Sequence, residues 1–231
     1  MGRRVDARRR AEELLDRLRY RLDRLTNPAY HPVPALGDDA AERAEGTHSR
    51  WAAMTPVLDE VAPRTALDIG CNTGWFVLAL AARGIPTVGV ERDPASYRTA
   101  MYAARKSPSG ARVGVLAMRL GEETAGLLPR ADCVLFLSTW HHLVREAGLD
   151  AAGRVLGTVW ERTGRVLFFD TGESEMPAEF GLPTMDPDPQ DWLAGYLAER
   201  CPGGTVQHLG RHQGGWEGRE PVYRNLFAVR R

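Results

Sequence analysis

The fold of this chain is decided by a stretch that reads Ala66-Leu67-Asp68-Ile69-Gly70-Cys71-Asn72-Thr73-Gly74. The apolar run Thr65–Ile69 ends in a glycine turn, which predicts a buried strand followed by a tight loop. The next apolar segment, Trp75–Arg83, predicts a helix, and Gly84 stands where a helix C-terminal cap is common. The start of the helix that follows the glycine turn offers free backbone N–H groups to a ligand.

The alternation of strands and helices continues along the chain. Further strands are predicted at Thr87–Val90, Arg112–Met118, Ala131–Leu137 and Arg165–Phe169. Further helices are predicted at Pro94–Lys106, Leu149–Thr163 and Asp191–Arg200. This alternation predicts a Rossmann-like, doubly wound α/β fold with a mostly parallel sheet. Two last strands, Thr205–Leu209 and Val222–Val229, with the glycine-rich loop Gly210–Pro221 between them, predict an antiparallel C-terminal hairpin.

The N-terminal residues predict a helical extension in front of this fold. An amphipathic helix is predicted over residues 6–25 from leucines at helical spacing, Leu14, Leu15, Leu18, Leu22 and Leu25. The proline-rich segment Pro28–Gly37 is expected to be an ordered loop or lid, and a second helix is predicted over residues 40–61. We therefore divide the chain into residues 1–62, the helical N-terminal extension and lid, and residues 63–231, the α/β domain.

The charge of the chain restricts its partners. A formal net charge of zero removes the simplest argument for a nucleic-acid partner. The charge is uneven, because residues 1–25 contain nine arginines and five acidic residues. The first helix is therefore expected either to be a solvated element that covers a ligand site or packs on a second subunit, or to contact phosphate, RNA or an anionic membrane surface. The oligomeric state stays open.

Cysteine content and hydropathy indicate the compartment. The chain has 3 cysteines and 43% hydrophobic residues, the composition of an ordinary globular domain. An odd and sparse set of cysteines without C-x-x-C spacing argues against a disulfide framework and against a zinc site. No apolar run approaches the roughly 20 residues that span a bilayer, and no signal peptide is recognisable. A cytoplasmic location without a transmembrane segment is expected.

Two acidic residues end the first two strands, where a doubly wound sheet binds its ligand. Glu91 ends the second strand, and an acid at that point can hold both hydroxyls of a ribose. Asp68 can accept a hydrogen bond from a ligand amino group. An NAD-binding domain would carry G-x-G-x-x-G, whereas position 72 is an asparagine in place of the second glycine. An NAD domain and a strand–turn–helix without a ligand are the alternatives.

The pattern D-x-G-x-x-x-G after the first strand, with an acid at the end of the second, resembles the class I methyltransferases that use S-adenosylmethionine (SAM). The resemblance covers residues 58–231 and implies SAM as the cofactor of a methyltransferase domain over residues 63–231. It implies a SAM loop formed by Asp68, Gly70, Cys71, Asn72 and Gly74. It also implies ribose binding by Glu91, and further cofactor contacts from Arg92, Met118, Arg119 and Ser138.

The fourth strand runs into a polar segment, Ser138-Thr139-Trp140-His141-His142. A histidine can remove a proton from a hydroxyl near neutral pH, so His141 or His142 is the expected catalytic base, unless the pair packs structurally. If the strand continued, the two rings would point in opposite directions. Acceptor binding is predicted for Tyr30, Trp140 and Asp170. The acids that follow Asp170 could bind a divalent cation, but a solvated loop is expected there and no metal site is predicted.

A second resemblance concerns the methyl acceptor. Residues 140–163 and the run Leu167-Phe168-Phe169-Asp170 are similar to the polysaccharide-capping methyltransferases. This resemblance implies transfer of the SAM methyl group to an oxygen of a small molecule or saccharide. An RNA methyltransferase, a phosphate-capping methyltransferase and a SAM-binding protein without catalysis are the alternatives.

Overall fold

The structure is a computed structural model that describes residues 13–23, 31–38, 44–217 and 220–231. The strands are β1 (Ala66–Ile69), β2 (Thr87–Glu91), β3 (Val113–Ala117), β4 (Ala131–Leu137), β5 (Thr163–Asp170), β6 (Thr205–Glu217) and β7 (Glu220–Arg230). The helices are α1 (residues 13–23), α2 (Ala44–Val61), α3 (Trp75–Ala82), α4 (Pro94–Lys106), α5 (Glu122–Ala125), α6 (Trp140–Ala147), α7 (Leu149–Arg162) and α8 (Pro189–Arg200).

All seven strands of the described chain form one sheet in the order β3-β2-β1-β4-β5-β7-β6. The first five strands pair in parallel, whereas β7 pairs antiparallel with both β5 and β6. The predicted Rossmann-like fold with an antiparallel C-terminal hairpin is therefore confirmed. Strand order reverses between β1 and β4, and a doubly wound sheet binds its ligand at such a point.

The sheet is buried on both faces because its central strands alternate between two apolar clusters. In β4, Val134 and Phe136 pack into the cluster formed with α6, α7 and α8, whereas Cys133 and Leu135 pack into the cluster formed with α2 and α3. Side chains alternate across a strand, so a continuous apolar run supplies both clusters at once. This explains why the central strands appear in the sequence as unbroken apolar runs.

Local signals set the start of two helices. The Asp93 side chain accepts a hydrogen bond from the backbone N–H of Ser96, and Pro94 occupies the first turn of α4. The Asp188 side chain caps α8 in the same way through the N–H of Asp191. An acidic cap followed by proline satisfies one orphan N–H group and presets the backbone angle of the first turn. These helix starts lie within three residues of the predicted ones.

The C-terminal hairpin corrects the sequence prediction. β6 ends at Glu217 and β7 begins at Glu220, and residues 218–219 lie outside the described ranges. Most of the predicted loop Gly210–Pro221 is therefore paired strand. The register shifts between His208 and Arg211, where Gly210 has a φ of +100°. Glycine in this region of φ marks a bulge in a strand as readily as a loop. The prediction of a loop over Gly210–Pro221 was therefore wrong for most of the segment, and Gly210 lies at a bulge within β6.

The segment after β4 also departs from one expectation. A continued strand would have pointed His141 and His142 in opposite directions, but Trp140–Ala147 is helical. Ser138, with a φ of +50°, ends the strand abruptly and lets the helix begin. His141 and His142 both lie in the first turn of α6, and consecutive side chains on a helix are about 100° apart and not opposite as on a strand. Their ring centroids lie 4.3 Å apart.

The N-terminal helix has its leucines on the outside. Within the described residues 13–23, exposure of the leucine side chains is 47–62% for Leu14, Leu15, Leu18 and Leu22. The leucine stripe is therefore not buried against any other part of the described chain. The remaining residues of the predicted helix, 6–12 and 24–25, and the first residues of the second predicted helix, 40–43, lie outside the described ranges.

Replacing Gly46 with alanine is expected to lower the free energy of unfolding by about 1–3 kcal/mol. A Cβ atom at Gly46 would lie 2.0 Å from the backbone oxygen of Gln213, so α2 and β6 would have to move apart. Urea denaturation of the two proteins measures the difference. Gly195→Ala is the matched control, because a Cβ there meets nothing within 4 Å and should stabilise α8 slightly. Equal stability of the Gly46 variant and the wild type would contradict the tight contact.

Candidate active site

A cavity of about 270 Å³ opens at the carboxyl ends of β1, β2 and β4. Its position is the strand edge at which doubly wound sheets bind ligands. The wall is formed by His31, Arg50, Asp68, Ile69, Gly70, Cys71, Asn72, Phe76, Val90, Glu91, Arg92, Met118, Leu120, Leu137, Ser138, Thr139, His142, Leu143 and Glu146. The wall combines apolar side chains with several charged groups, so it suits a ligand that has both kinds of surface.

The turn after β1 requires glycine. Gly70 has a φ of +74°, and a Cβ atom there would lie 2.4 Å from the Thr139 hydroxyl. The N–H groups of Gly70 and Cys71 both donate to the Val90 carbonyl, at 2.8 and 3.0 Å, which holds the loop against the end of β2. The missing side chain therefore leaves room for Thr139, which packs against the turn. The Cys71 thiol is buried, and burial raises its pKa well above the usual value, so it stays protonated.

Glu91 connects the loops that follow β1 and β2. One of its carboxylate oxygens accepts from the Asn72 N–H at 2.8 Å, and the other accepts from the Asp93 N–H at 2.7 Å. Asn72 has a φ of +49°, a conformation that asparagine tolerates better than most residues. Each carboxylate oxygen has a second lone pair, so Glu91 can still accept hydrogen bonds from two hydroxyls of a ligand in the cavity.

Asp68 is a buried carboxylate that forms no ion pair with a described residue. Its side chain is 2% exposed, and its Oδ2 atom has no hydrogen-bond partner among the described residues. Burial raises the pKa of Asp68 to about 7, the negative charge of Glu91 adds to this effect, and Arg50 opposes it. A cation placed beside this buried carboxyl group would stabilise its ionised form. The ammonium and sulfonium groups of SAM carry that charge, so Asp68 and the glycine turn fit this cofactor.

Asp170 has the opposite electrostatic environment although it is equally buried. Burial alone would raise its pKa, but the Arg50 guanidinium at 2.7 Å holds the pKa below its usual value, with help from Arg224 and Ser138. The backbone N–H and the hydroxyl of Ser138 both donate to the second oxygen of Asp170, at 2.6 and 2.9 Å. Asp170 therefore stays ionised, and it fixes Arg50 and Ser138 on the cavity wall.

Arg50 keeps one donor for a ligand. Its Nη1 atom donates to Asp170 and its Nε atom donates to the Gly46 carbonyl at 3.0 Å. The Nη2 atom is buried and finds no partner in the part of the chain that the structure describes. A buried guanidinium N–H without an acceptor is costly. An anionic or carbonyl oxygen in the cavity would satisfy it.

The acids after β5 have separate partners. Glu175 pairs with Arg224 at 2.7 Å, and Glu173 accepts from the backbone and side chain of Asn225 at 2.5 and 3.0 Å. Burial raises the pKa of Glu173. Because Asp170 pairs with Arg50, the three carboxylates do not converge on one point. Within the described ranges no group of three His, Cys, Asp or Glu side chains is placed to hold a metal ion.

The two histidines of α6 differ in their surroundings. His141 is 3% exposed, and its Nδ1 atom accepts from the Gly172 N–H at 2.9 Å. His142 is half-buried on the cavity wall, and its Nδ1 atom has no partner among the described side chains and backbone groups. Burial lowers the pKa of His142, and the positive charges of Arg145 and Arg92 lower it further. His142 is therefore the neutral imidazole that faces the cavity.

The structure brings most of the predicted site residues together. The cavity wall contains Asp68, Gly70, Cys71, Asn72, Glu91, Arg92, Met118, Ser138 and His142. Gly74 starts α3 behind the loop with a φ of +85°, and Arg119 pairs with Glu146 at 2.7 Å outside the lining. His141 and Asp170 lie directly behind the wall. Tyr30 lies outside the described residues.

Trp140 does not reach the cavity. Its side chain is 0% exposed and its ring contacts Phe169, Trp192 and Tyr196 in the core. The prediction that Trp140 binds the acceptor has no support in this position. Trp140 is the first residue of α6, and its side chain points toward Trp192 and Tyr196 of α8.

Sequence reasoning missed several wall residues. The cavity is also lined by His31, Arg50, Phe76, Thr139 and Glu146. One signal for Arg50 was present, since it stands four residues before Met54 and eight before Leu58 on the buried side of α2. A charged residue on the apolar face of a helix is rarely buried without a partner. For His31 we find no comparable signal in the sequence.

The fold and the site define a class I SAM-dependent methyltransferase domain, and the chain belongs to this class. A family model for the methyltransferase domain matches residues 67–159, which includes the glycine turn, Glu91 and the histidine pair. The implied cofactor, SAM, is thereby confirmed at the level of the family.

A curated protein with a similar sequence and a solved structure with a similar fold are also methyltransferases. The O-antigen chain terminator bifunctional methyltransferase/kinase WbdD of Escherichia coli is 31% identical over 171 residues, which are 72% of this chain and 22% of that protein. The chain thus matches about a fifth of that relative's length. A crystal structure of WbdD superimposes with a TM-score of 0.71 at 22% identity, over 91% of this chain and 46% of that one.

A second solved structure has SAM bound. The magnesium protoporphyrin IX methyltransferase ChlM of Synechocystis PCC 6803 superimposes with a TM-score of 0.59 at 15% identity, over 80% of this chain and 79% of that one. At such identities the structural likeness establishes the shared fold.

Replacing Asp68 with asparagine is expected to stabilise the cofactor-free protein. The pKa of the buried carboxyl is about 7, against 3.8 for an unperturbed aspartate, so ionisation disfavours the folded state. This cost grows between about pH 4 and pH 7 and is constant above pH 7. Thermal denaturation should therefore give a gain in Tm that is larger near pH 8 than near pH 5.

The same Asp68 variant should bind S-adenosylhomocysteine or SAM at least about tenfold more weakly, because the charge-assisted hydrogen bond is lost. Asp59→Asn is the matched control, since Asp59 is 62% exposed and loses only a surface ion pair with Arg83. Such a pair contributes about 1 kcal/mol or less, so the control should leave cofactor binding unchanged and shift Tm only slightly, by the same amount at pH 5 and pH 8. A lower Tm of the Asp68 variant at pH 8 would contradict the assigned environment.

Replacing Glu91 with alanine should weaken binding of S-adenosylhomocysteine by at least about tenfold, a loss of about 1.4 kcal/mol. The variant loses the acceptor for ligand hydroxyls and also the bonds that hold the Asn72 loop. Calorimetric titration measures the affinity, with the exposed Glu123→Ala as control. Unchanged affinity in the Glu91 variant would remove this residue from the cofactor site.

Proposed function

We propose that this chain transfers the methyl group of SAM to an oxygen atom of a saccharide or another small hydroxylated acceptor. The observation that carries the proposal is His142, a half-buried and neutral imidazole on the cavity wall. Methylation of a hydroxyl requires a group that takes the proton, and a neutral imidazole within the site can do so. The similarity to WbdD, an O-antigen chain terminator, supports a saccharide acceptor.

The cofactor is proposed to be held by residues that follow β1, β2, β3 and β4. Asp68 would accept from its ammonium group, and Glu91 would accept from the ribose hydroxyls. Further contacts are assigned to Gly70, Cys71, Asn72, Arg92, Met118 and Ser138, all of which line the cavity. Bound SAM supplies an electrophilic methyl group. The protein contributes alignment of the acceptor, exclusion of water and removal of the proton.

His142 is proposed as the base and His141 as a positioning residue. The Nδ1 atom of His141 already accepts from the Gly172 N–H, so this atom is not available to a substrate. Its ring instead packs against His142, and Phe180 contacts both imidazoles with centroid distances of 5.7 Å. His141 thereby orients the ring of His142. Asp170 is likewise proposed as a positioning residue, because it accepts hydrogen bonds from Ser138 and Arg50 and so orients both side chains.

The N-terminal part is proposed to act as an extension and lid, as the division at residue 62 predicts. His31 and Arg50 support this role, because both come from residues 1–62 and both line the cavity. The His31 ring accepts from or donates to the Thr47 hydroxyl at 2.7 Å, which ties the segment 31–38 to α2. Residues 63–231 would form the methyltransferase domain proper.

A phosphate oxygen is a second candidate acceptor. The observation in its favour is the Arg50 Nη2 atom, which is buried at the cavity wall and has no acceptor within the described residues. A guanidinium is well suited to a phosphate group. A phosphate is already ionised near neutral pH, so its methylation needs no base.

Replacing His142 with glutamine is expected to separate the two candidates. Transfer of labelled methyl from SAM to a panel of methyl glycosides should fall by about 10²–10⁴-fold, because the base is lost. Transfer to monosaccharide phosphates should change little if a phosphate oxygen is the acceptor. Affinity for S-adenosylhomocysteine serves as the control and should stay within about twofold of the wild type.

Activity on a hydroxyl acceptor should rise with pH as His142 loses its proton and then reach a plateau. Because burial and nearby arginines lower the pKa of His142, the inflection should lie below 6.5, and it should be absent in the His142 variant. Activity restricted to a short single-stranded RNA would contradict the saccharide proposal. Normal cofactor binding without transfer to any of the three acceptor types would favour a SAM-binding protein without catalysis.

A further inference from the structure

Helix α1 attaches to the domain by its acidic side. Asp23 pairs with Arg98 at 3.0 Å and Asp16 pairs with Arg105 at 2.6 Å, and Glu13 pairs with Lys106. These cations line one side of α4. The Tyr20 ring contacts Tyr102 of α4, and the Tyr20 hydroxyl donates to Asp38 at 3.0 Å. The polar face of the helix, not the apolar one, is therefore the face that packs on the protein.

The opposite face of α1 carries the leucines. Exposure is 59% for Leu14, 51% for Leu15, 47% for Leu18 and 62% for Leu22. At about 100° per residue these side chains form one stripe directed away from α4. An amphipathic helix normally buries such a stripe. The arrangement is reversed here, and within the described ranges the apolar stripe is left exposed.

Arginines flank the leucine stripe on both sides. Arg17 and Arg21 lie along one edge of the stripe and Arg19 lies along the other, and all three are exposed. None of them forms an ion pair with a described residue, whereas every acid within residues 13–23 is paired with α4. The outward side of α1 therefore has only positive charge. We call Leu14, Leu15, Leu18, Leu22, Arg17, Arg19 and Arg21 the leucine–arginine face.

This charge disfavours a second copy of the chain as the occupant. Leu15, Leu18 and Leu22 have the spacing of a coiled-coil seam, but the positions next to that seam are Arg19 and Arg21. Two copies packed along their stripes would place arginines opposite arginines. Like charges at these positions destabilise a pair, so the occupant must be apolar in the middle and anionic at the edges.

We propose that the leucine–arginine face binds the surface of an anionic phospholipid bilayer. Leucines on a convex stripe with arginines on both edges match the interface, where apolar side chains enter the acyl boundary and cations meet the headgroups. No helix of the described ranges is long and apolar enough to cross a membrane, so the contact is a peripheral one. No residue of this face lines the cavity that contains His142 and Asp68, so this inference does not rest on the proposed acceptor.

Flotation of the full chain with vesicles tests the inference. The wild type should bind vesicles that contain about one third phosphatidylglycerol at least about tenfold more tightly than vesicles of phosphatidylcholine alone. Binding should weaken as the salt concentration rises, because the headgroup attraction is screened. Absence of binding to the anionic vesicles, or equal binding to both kinds, overturns the proposal.

Paired variants assign the binding to α1. Leu15→Gln with Leu22→Gln, and separately Arg19→Gln with Arg21→Gln, should each reduce binding to anionic vesicles by about tenfold or more. Leu127→Gln and Arg64→Gln are the matched controls, because Leu127 is 72% exposed and the Arg64 side chain is 82% exposed, both elsewhere on the protein. Unchanged affinity for S-adenosylhomocysteine confirms that the variants are folded.

The same variants distinguish the rival occupants. If the leucine variant bound anionic vesicles as tightly as the wild type, the face would not be the lipid contact. Size-exclusion chromatography with multi-angle light scattering gives the oligomeric state. A wild-type dimer that the leucine variant converts to monomer, without vesicle binding, would make the face a contact between copies and would overturn the proposal.

Discussion

The buried ion pair between Arg50 and Asp170 is the interaction on which the site depends. It joins α2, from the N-terminal part, to the end of β5, and both side chains are 2% exposed. Removal of one partner from such a pair leaves an uncompensated buried charge, which typically costs about 3–5 kcal/mol. Through Asp170 the pair also fixes Ser138 at the end of β4. The cavity wall is therefore built from parts of the chain that are far apart in sequence.

The same pair explains why two buried aspartates behave differently. Asp170 has the guanidinium and stays ionised, whereas burial and the nearby Glu91 raise the pKa of Asp68. One carboxylate is thus satisfied within the protein and organises the wall. The other is left for a cationic ligand, which is the property a SAM site needs. Burial is common to both, and the position of one arginine decides the difference.

The fold was predictable because its signals are local. Apolar runs, the glycine turn at Gly70 and the acid-proline helix starts at Asp93 and Asp188 act within a few residues of each other. The two strands of the hairpin were predicted, but their lengths were not. Glycine is common both in strand bulges and in loops, so Gly210 alone does not distinguish the two structures. Hydrogen bonding to β7 makes this segment a strand with a bulge and not a loop. This pairing depends on both segments together, so neither sequence alone predicts it.

By itself the sequence determined the order of the seven strands and of all the helices except α5 and α6, the glycine turn and the two acids at the ends of β1 and β2. It also brought the histidine pair to the end of β4. Only the tertiary structure assigned different roles to His141 and His142, because one ring meets the Gly172 N–H and the other meets the cavity. Only the tertiary structure put Arg50 in the wall and turned the leucines of α1 outward. Periodicity says which residues share a face, whereas the partner of that face is set by contacts between distant segments.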